Sequence, residues 1–376
     1  MKIKYVLAIG IALIATVALL GPRVDMNISL DDLTLTDNLD LYLSKSESRF
    51  DDITEGTEKT IMWAGTPGER TAISIVSFHG FSATRQELSP LADTVAKSLN
   101  ANLFYTRLAG HGRGGPGMVD GSVNRWANDA YEAIKVGRRL GDKVILIGTS
   151  TGSTLAAWLA LQPTNADLEA MILLSPNFYN ADSNMRMLLW PWGQKIAETL
   201  IGKVRHWESK NPLHEKYWAN DYATSSMLPM MGLVKIVNDS DIEKINTPTL
   251  MIYSSKDKTI SVPPILETFA RLGSEKKELF EFNATWHRKI GVDDDNQHKV
   301  LNSLINQRLP HQVAERTLSM HELKEKYDEE GSVAACEVCR LKLQCCFDVK
   351  EMIRKPIRKR VREDAGASPA GGTQQS

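Results

Sequence analysis

Three residues of this chain carry the side chains that acyl transfer needs, in the order Ser150, Asp257, His287. A serine hydroxyl is a weak nucleophile at neutral pH. It becomes a useful one when an imidazole takes its proton and a carboxylate holds that imidazole in the correct tautomer. Ser150 lies in Gly148-Thr149-Ser150-Thr151-Gly152, behind the apolar run Val144-Ile145-Leu146-Ile147 and ahead of small and apolar residues at helical spacing. That pattern predicts a buried strand turning sharply into a helix. Glycines flank the turn because the two backbones approach closely there. Ser150 is then expected to stand exposed at the tip, beside the N–H groups that open the helix.

The partners meet a positional demand. Asp257 follows the strand-like Thr249-Leu250-Met251-Ile252-Tyr253, and His287 follows Glu278-Leu279-Phe280-Glu281-Phe282. Read alone, Asp257 is equally a helix cap and His287 an ordinary loop histidine; their order behind Ser150 favours the triad. His298 is the rival base, but it follows Asp293-Asp294-Asp295 and reads as part of a solvated final helix. A tetrahedral intermediate also requires two N–H donors for its oxyanion. Thr151 supplies one from its place after the nucleophile, and Phe81, in the loop after the Ala72–Phe78 strand, supplies the other. His79 and His111 sit on separate loops without metal-ligand spacing, and they read as loop-shaping residues bonded to backbone. No metal is expected. Cys336, Cys339, Cys345 and Cys346 could ligate one ion only awkwardly, two of them being adjacent. In an oxidising compartment they would sooner form disulfides.

The elements that must position these groups follow from periodicity. Strand-like segments at Thr60–Trp63, Ala72–Phe78, Asn102–Tyr105, Val144–Thr149, Glu169–Leu174, Thr249–Tyr253 and Glu278–Phe282 alternate with helical patterns, one from about Asn124 to Leu140. Such alternation predicts an α/β fold: a mostly parallel central sheet with helices on both faces. Thr84-Arg85-Gln86-Glu87 has the spacing of a capping box. Between residues 176 and 246 the alternation breaks into an insert rich in Trp and Met, expected to form a helical cap. Trp190, Trp192, Met227 and Met230 are its candidates for contacting an apolar substrate group.

The chain has 376 residues with a formal net charge of −1, so nothing in its charge suggests nucleic acid as a partner. Lys2 and Lys4 precede the uncharged run Tyr5 to Leu20, which ends at Gly21-Pro22. This is the layout of residues 1–22 as a signal-anchor or signal peptide. Pro22 and the lack of an Ala-x-Ala site favour an uncleaved membrane anchor, with the body outside the cytoplasm, over a secreted product. Residues 23–58 read as a polar spacer, 59–309 as the catalytic-type domain with its insert, and 310–376 as a charged tail ending in a disordered stretch.

His79-Gly80-Phe81, Gly110-His111-Gly112, the turn at Ser150, Asp257 and His287 together resemble the α/β-hydrolase superfamily, and within it the carboxylesterase and monoacylglycerol-lipase-like serine hydrolases. The resemblance covers about residues 71 to 305. It implies the α/β-hydrolase fold, a Ser150–Asp257–His287 triad, an oxyanion hole from the Phe81 and Thr151 amides, and no cofactor. It further implies a small-molecule ester with an apolar acyl group as substrate. A peptidase or amidase on the same fold, or a catalytically silent binding protein, are the alternatives. The N-terminal run and the cysteine-bearing tail lie outside the family pattern.

Overall fold

Along each central strand, neighbouring residues point to opposite faces, and here both faces are apolar. In the strand before Ser150, Val144 and Leu146 join one buried cluster while Ile145 and Ile147 join another. A strand buried on both sides belongs in the middle of a sheet covered by helices. The computed structural model shows this arrangement; it describes Tyr5 and residues 16–17, 19–164, 168–209 and 211–281. In chain order the elements are α1 (Leu39–Glu47), β1 (Thr60–Met62), β2 (Thr71–Phe78), α2 (Leu91–Ser98), β3 (Asn102–Tyr105), α3 (Val123–Leu140), β4 (Gly141–Thr149), α4 (Thr151–Ala160) and β5 (Leu168–Leu174). They continue with α5 (Gly193–Ile201), β6 (Val204–His206), α6 (Pro212–Tyr217), β7 (Asp221–Ala223), α7 (Met227–Asn238), β8 (Thr249–Tyr253), α8 (Val262–Arg271) and β9 (Lys277–Glu281).

The sheet runs β1-β3-β2-β4-β5-β8-β9, with β1 antiparallel to β3 and every other pair parallel. This is the α/β-hydrolase arrangement, and the strand segments read from the sequence match it to within a few residues at each end. The strand order reverses direction at β2 and β4. Loops at their C-terminal ends therefore diverge and leave a crevice. One face of the sheet packs on α3, α4 and α7 through Val76, Leu146, Trp126, Leu155 and Leu233. The other face packs on α2 through Ile75, Ile147, Leu91 and Val95. The helix expected over 124–140 forms one residue earlier, capped by Ser122, whose hydroxyl accepts the Arg125 N–H at 3.1 Å.

Residues 176–246 enter between β5 and β8 as an insert containing α5, the small β6–β7 hairpin, α6 and α7. Two further segments differ from expectation. Thr84 and Glu87 make no capping box: the Thr84 side chain accepts no capping N–H, the segment forms only a 3₁₀ turn, and α2 starts later. Glu87 is drawn away because it satisfies the buried Gly80 N–H at 2.6 Å, a donor that would be costly to leave unpaired. The polar stretch expected as a spacer is held along α3. Backbone N–H groups of Ser29 and Asp31 donate to the side chains of Asn124 and Asn128, at 2.8 and 2.7 Å. Leu39 and Leu43 of α1, spaced i and i+4, are buried in the main core.

Among the described residues no helix is long and apolar enough to cross a membrane. Most of the run from Tyr5 to Leu20 lies outside them, as do His287, His298 and the cysteine-bearing tail.

Candidate active site

Ser150 joins β4 to α4 with φ 51° and ψ −116°, a backbone conformation that non-glycine residues rarely hold. Its neighbours explain how the turn is kept. A Cβ on Gly152 would stand 2.2 Å from the Phe78 carbonyl oxygen, and one on Gly148 would stand 2.6 Å from the Gly152 oxygen. Neither position admits a side chain. The Ser150 N–H donates to Leu174 O at 2.9 Å, and its carbonyl accepts N–H bonds from Ser153, Asn177 and Thr154 at 3.0, 3.1 and 3.2 Å. The Ser153 hydroxyl closes the turn from inside, donating to Gly148 O at 2.6 Å and accepting from Leu174 N at 3.1 Å. The sequence signal for this role is a hydroxyl residue in the first turn of an otherwise mostly apolar helix.

Ser150 is at the tip of the turn, but the residue is only 6% exposed, unlike the open position expected for it. The loop after β2 closes over it: a Cβ on Gly80 would lie 3.3 Å from Ser150 Cβ. The N–H groups of Phe81 and Thr151 donate to no acceptor among the described residues. Both belong to segments in contact with Ser150, one as its sequence neighbour and one beside Gly80.

Two histidines shape that loop in the way expected of them. His79 Nδ1 donates to Gly80 O at 2.9 Å and its Nε2 accepts the Leu108 N–H at 3.2 Å. His111 Nε2 accepts the Ser82 N–H at 3.1 Å, and its Nδ1 faces Ala109 O at 3.3 Å. Each imidazole thus bridges the loop after β2 to the loop after β3, and each must be neutral because its Nε2 accepts from a backbone N–H. Burial enforces this. It lowers the His79 pKa to about 4, and it holds His111 well below its ordinary value, with His79 adding to the effect. Behind them Asp129 accepts the Ala109 N–H at 2.6 Å, its pKa raised to about 6 by burial against the pull of Lys59.

Asp257 comes to the same edge of the sheet from β8, two strands away from β4. It does not cap α8, whose N-cap is Ser261. One carboxylate oxygen accepts the N–H groups of Thr259 and Ile260 at 2.8 and 3.2 Å, and the other accepts the Ser175 hydroxyl at 3.0 Å. Ser175, at the end of β5, has φ 38°. Two non-glycine residues with left-handed backbone on neighbouring strand ends mark this edge as the strained part of the sheet.

The cap candidates separate into two groups. Met227 and Met230 are buried in the main core at 4% and 5% exposure. Trp190 and Trp192 are 54% and 39% exposed, and Trp192 donates from its backbone to Pro22 O at 2.8 Å and from its indole to Val17 O at 3.0 Å. The hairpin end of the cap rests on the loop after β2: Ala219 N–H donates to Ser82 O at 2.8 Å, and the Tyr222 ring meets Phe81 edge-on at 5.2 Å. Among the described residues no cluster of side chains could hold a metal ion.

A strained serine between two glycines that admit no side chain, with two amides beside it that find no acceptor among the described residues and a carboxylate two strands on, is the arrangement of a hydrolase. The family model described as serine aminopeptidase, S33 (Hydrolase_4) matches residues 69–292, more than half of the chain. The chain belongs to this family. It is similar to a thermostable monoacylglycerol lipase of Bacillus sp. (strain H-257), 20% identical over 227 residues that cover 58% of this chain and 84% of the lipase. In three dimensions it resembles metagenome-derived lipolytic enzymes at a TM-score of 0.55 and 16% identity, covering 67% of this chain and 97% of theirs. It also resembles a soluble variant of monoglyceride lipase from Saccharomyces cerevisiae, at a TM-score of 0.53 and 15% identity over 68% of this chain and 92% of that one. At such identities the solved structures speak for the fold.

Proposed function

We propose that this hydrolase cleaves carboxylic esters of small apolar acyl groups through an acyl-enzyme on Ser150. The observation that carries the reading is the turn at Ser150, a strained serine held between β4 and α4 beside two amides with no acceptor among the described residues. In the proposed reaction Ser150 Oγ attacks the ester carbonyl while its proton passes to His287, oriented by Asp257. The carbonyl oxygen takes the negative charge and is met by the N–H groups of Phe81 and Thr151. Collapse expels the alcohol, which leaves with the proton held by His287. A water molecule then gives its proton to His287 and attacks the acyl carbon; the second tetrahedral intermediate breaks its bond to Ser150 Oγ, which takes the proton back from His287 as the acid leaves. The lipase relative supports an ester with an apolar acyl part. The name of the matched family favours a second reading, hydrolysis of an amide or peptide bond at the same serine.

The test is labelling by a fluorophosphonate, mapped to its residue, followed by turnover of a nitrophenyl ester series beside an aminoacyl anilide. Labelling at Ser150 with faster turnover of the esters is expected, and Ser150→Ala should remove both while keeping a wild-type melting curve. Turnover of the anilide alone would replace the ester reading with the amidase one, and no labelling at Ser150 would end both. The apolar N-terminal run is proposed to anchor the body to a membrane outside the cytoplasm, and fractionation of the intact chain decides that. Recovery entirely in the soluble cytoplasmic fraction would refute it.

A further inference from the structure

Glu47 and Arg107 form a buried ion pair 60 residues apart in sequence, and nothing in the reaction above uses either. Arg107 Nε and Nη2 donate to the two carboxylate oxygens of Glu47 at 2.7 and 2.8 Å, and both side chains are under 10% exposed. Such a two-pronged contact fixes orientation as well as charge. The third donor of the same guanidinium, Nη1, reaches His111 O at 3.1 Å. His111 in turn accepts the Ser82 N–H, one residue beyond Phe81. An unbroken line of bonds therefore runs from α1 to the loop that carries the Phe81 amide.

The segment following α1 adds contacts on either side of that line. Thr54 N–H and the Thr57 hydroxyl both donate to Gly112 O, at 2.7 and 3.2 Å. Gln86 donates to Gly56 O at 2.7 Å, next to the Glu87 carboxylate that binds Gly80 N–H. Lys59 N–H donates to Glu47 Oε2 at 3.1 Å, so the carboxylate is also tied into its own segment. Burial opposes the charge on Glu47, yet Arg107 outweighs it and keeps the carboxyl below its ordinary value. The glutamate is therefore ionised throughout the neutral range. All the residues from Glu47 to Lys59 precede residue 69, where the family match begins.

We infer that Glu47, acting through Arg107 and His111, is a positioning residue for the oxyanion-binding loop, so that the segment ahead of the family domain sets transition-state binding. The inference rests on the reading of Ser150 as the nucleophile and of Phe81 N–H as an oxyanion donor. A donor displaced by a fraction of an ångström binds substrate almost unchanged but loses its hold on the tetrahedral oxygen. The expected signature is thus a change in kcat at constant KM.

The test uses the full chain carrying Glu47→Gln, with Glu47→Asp as the conservative variant. Ester kcat and KM are measured alongside the inhibition constant of an alkyl trifluoromethyl ketone, which forms a tetrahedral adduct on the serine. For Glu47→Gln, kcat should fall by about 10- to 100-fold with KM within about 3-fold, and ketone affinity should fall by the same factor as kcat. Glu47→Asp should recover most of both. Should Glu47→Gln fail to fold, Arg107→Lys keeps the cation, loses the fork, and is read in the same way. Unchanged kcat, or a loss of kcat without a matching loss of ketone affinity, would overturn the inference while leaving ester hydrolysis by Ser150 intact. A wild-type chain that neither labels at Ser150 nor turns over ester would overturn both, since no oxyanion would then need a donor.

Discussion

The two sides of Ser150 are built by different means. On the side of β2 and β3, the loops are buried and are fixed by side chains from distant segments: His79, Glu87, Arg107 and His111, with Glu47 behind them. On the side of β8, the turn around Asp257 is partly solvated, and Lys256, Lys258 and Thr259 are exposed. It is fixed mainly by the carboxylate's bonds to its own next residues and to Ser175, and by backbone bonds from Ala181 to Thr259 and from Ser261 to Tyr179. The difference follows from what each side must hold. A pair of amides cannot adjust once the chain is folded, so their placement is a property of packing. In the proposed reaction Asp257 has to steady an imidazole, and its own turn and the Ser175 hydroxyl are among the bonds that hold it. Damage on the first side should therefore appear in stability and activity together, and damage on the second side in activity alone.

The sharpest test of that contrast is on the β8 side. Asp257→Asn and His287→Ala should each lower kcat by on the order of 10⁴-fold with little change in KM, the first because the imidazole is left in the wrong tautomer and the second because the base is gone. The melting temperature of Asp257→Asn should stay within about 2 °C of wild type, since a substitution at a partly solvated turn costs about 0.5 kcal/mol or less. His298→Ala is the control, expected at wild-type rate. If His298→Ala removes activity while His287→Ala does not, the base lies eleven residues further along.

On the buried side, Gly152→Ala should cost both properties. Its methyl would collide with the Phe78 carbonyl, and shifting a packed backbone costs about 1–3 kcal/mol or more. Urea unfolding should show the midpoint falling together with ester turnover; retained activity in a destabilised protein would break the contrast.

Acid tests the same side without a mutation. The folded pKa of His79 lies below its unfolded value of roughly 6.5, so the unfolded chain takes up the proton first. The contribution of His79 is fully present above about pH 6.5 and is lost as pH falls toward about 4. The loss approaches about 3 kcal/mol, to which His111 adds in the same direction. Asp129 works the other way, because its raised pKa relieves a cost as pH falls through about 6. Unfolding free energies measured between pH 7 and 4 should decline, and the decline should be smaller in a His79→Asn variant. The smallest effect expected is that of Ser175→Ala. Losing one hydroxyl bond to Asp257, worth about 1 kcal/mol, should lower kcat about 5-fold and stability by no more than about 1 kcal/mol.

What was legible in the sequence was what is local. Ser150 and Asp257 could be placed because each follows a short apolar strand, and the glycines at 148 and 152 announced a close approach that the backbone confirms. The histidines at 79 and 111 could be read as backbone-bonded because no metal spacing accompanied them. The remainder depends on partners far along the chain. Glu47 looked like one more charge in a polar stretch, since no spacing rule pairs it with Arg107. Leu39 and Leu43 did carry the i, i+4 signal of a packed helix, too short a pattern to outweigh the acidic residues around it. Glu87 satisfied the capping-box spacing yet found a better donor in Gly80, a loop contact visible only after folding. The tryptophans and methionines of the insert read as one apolar set in the sequence, although only Met227, Met230 and Met231 among them are buried in the core.

The boundary of inheritance and the boundary of folding do not coincide in this protein. The family match opens at residue 69, but the counter-ion of Arg107 and two leucines of the main core lie between residues 39 and 47. A chain started at the family boundary would keep every residue of the proposed chemistry and leave a guanidinium buried without its carboxylate. Stranding one member of such a pair costs about 3–5 kcal/mol, a large share of the 5–15 kcal/mol that holds a typical domain folded. For this protein, the segment that relatedness would trim away supplies part of the packed core and one half of that buried ion pair.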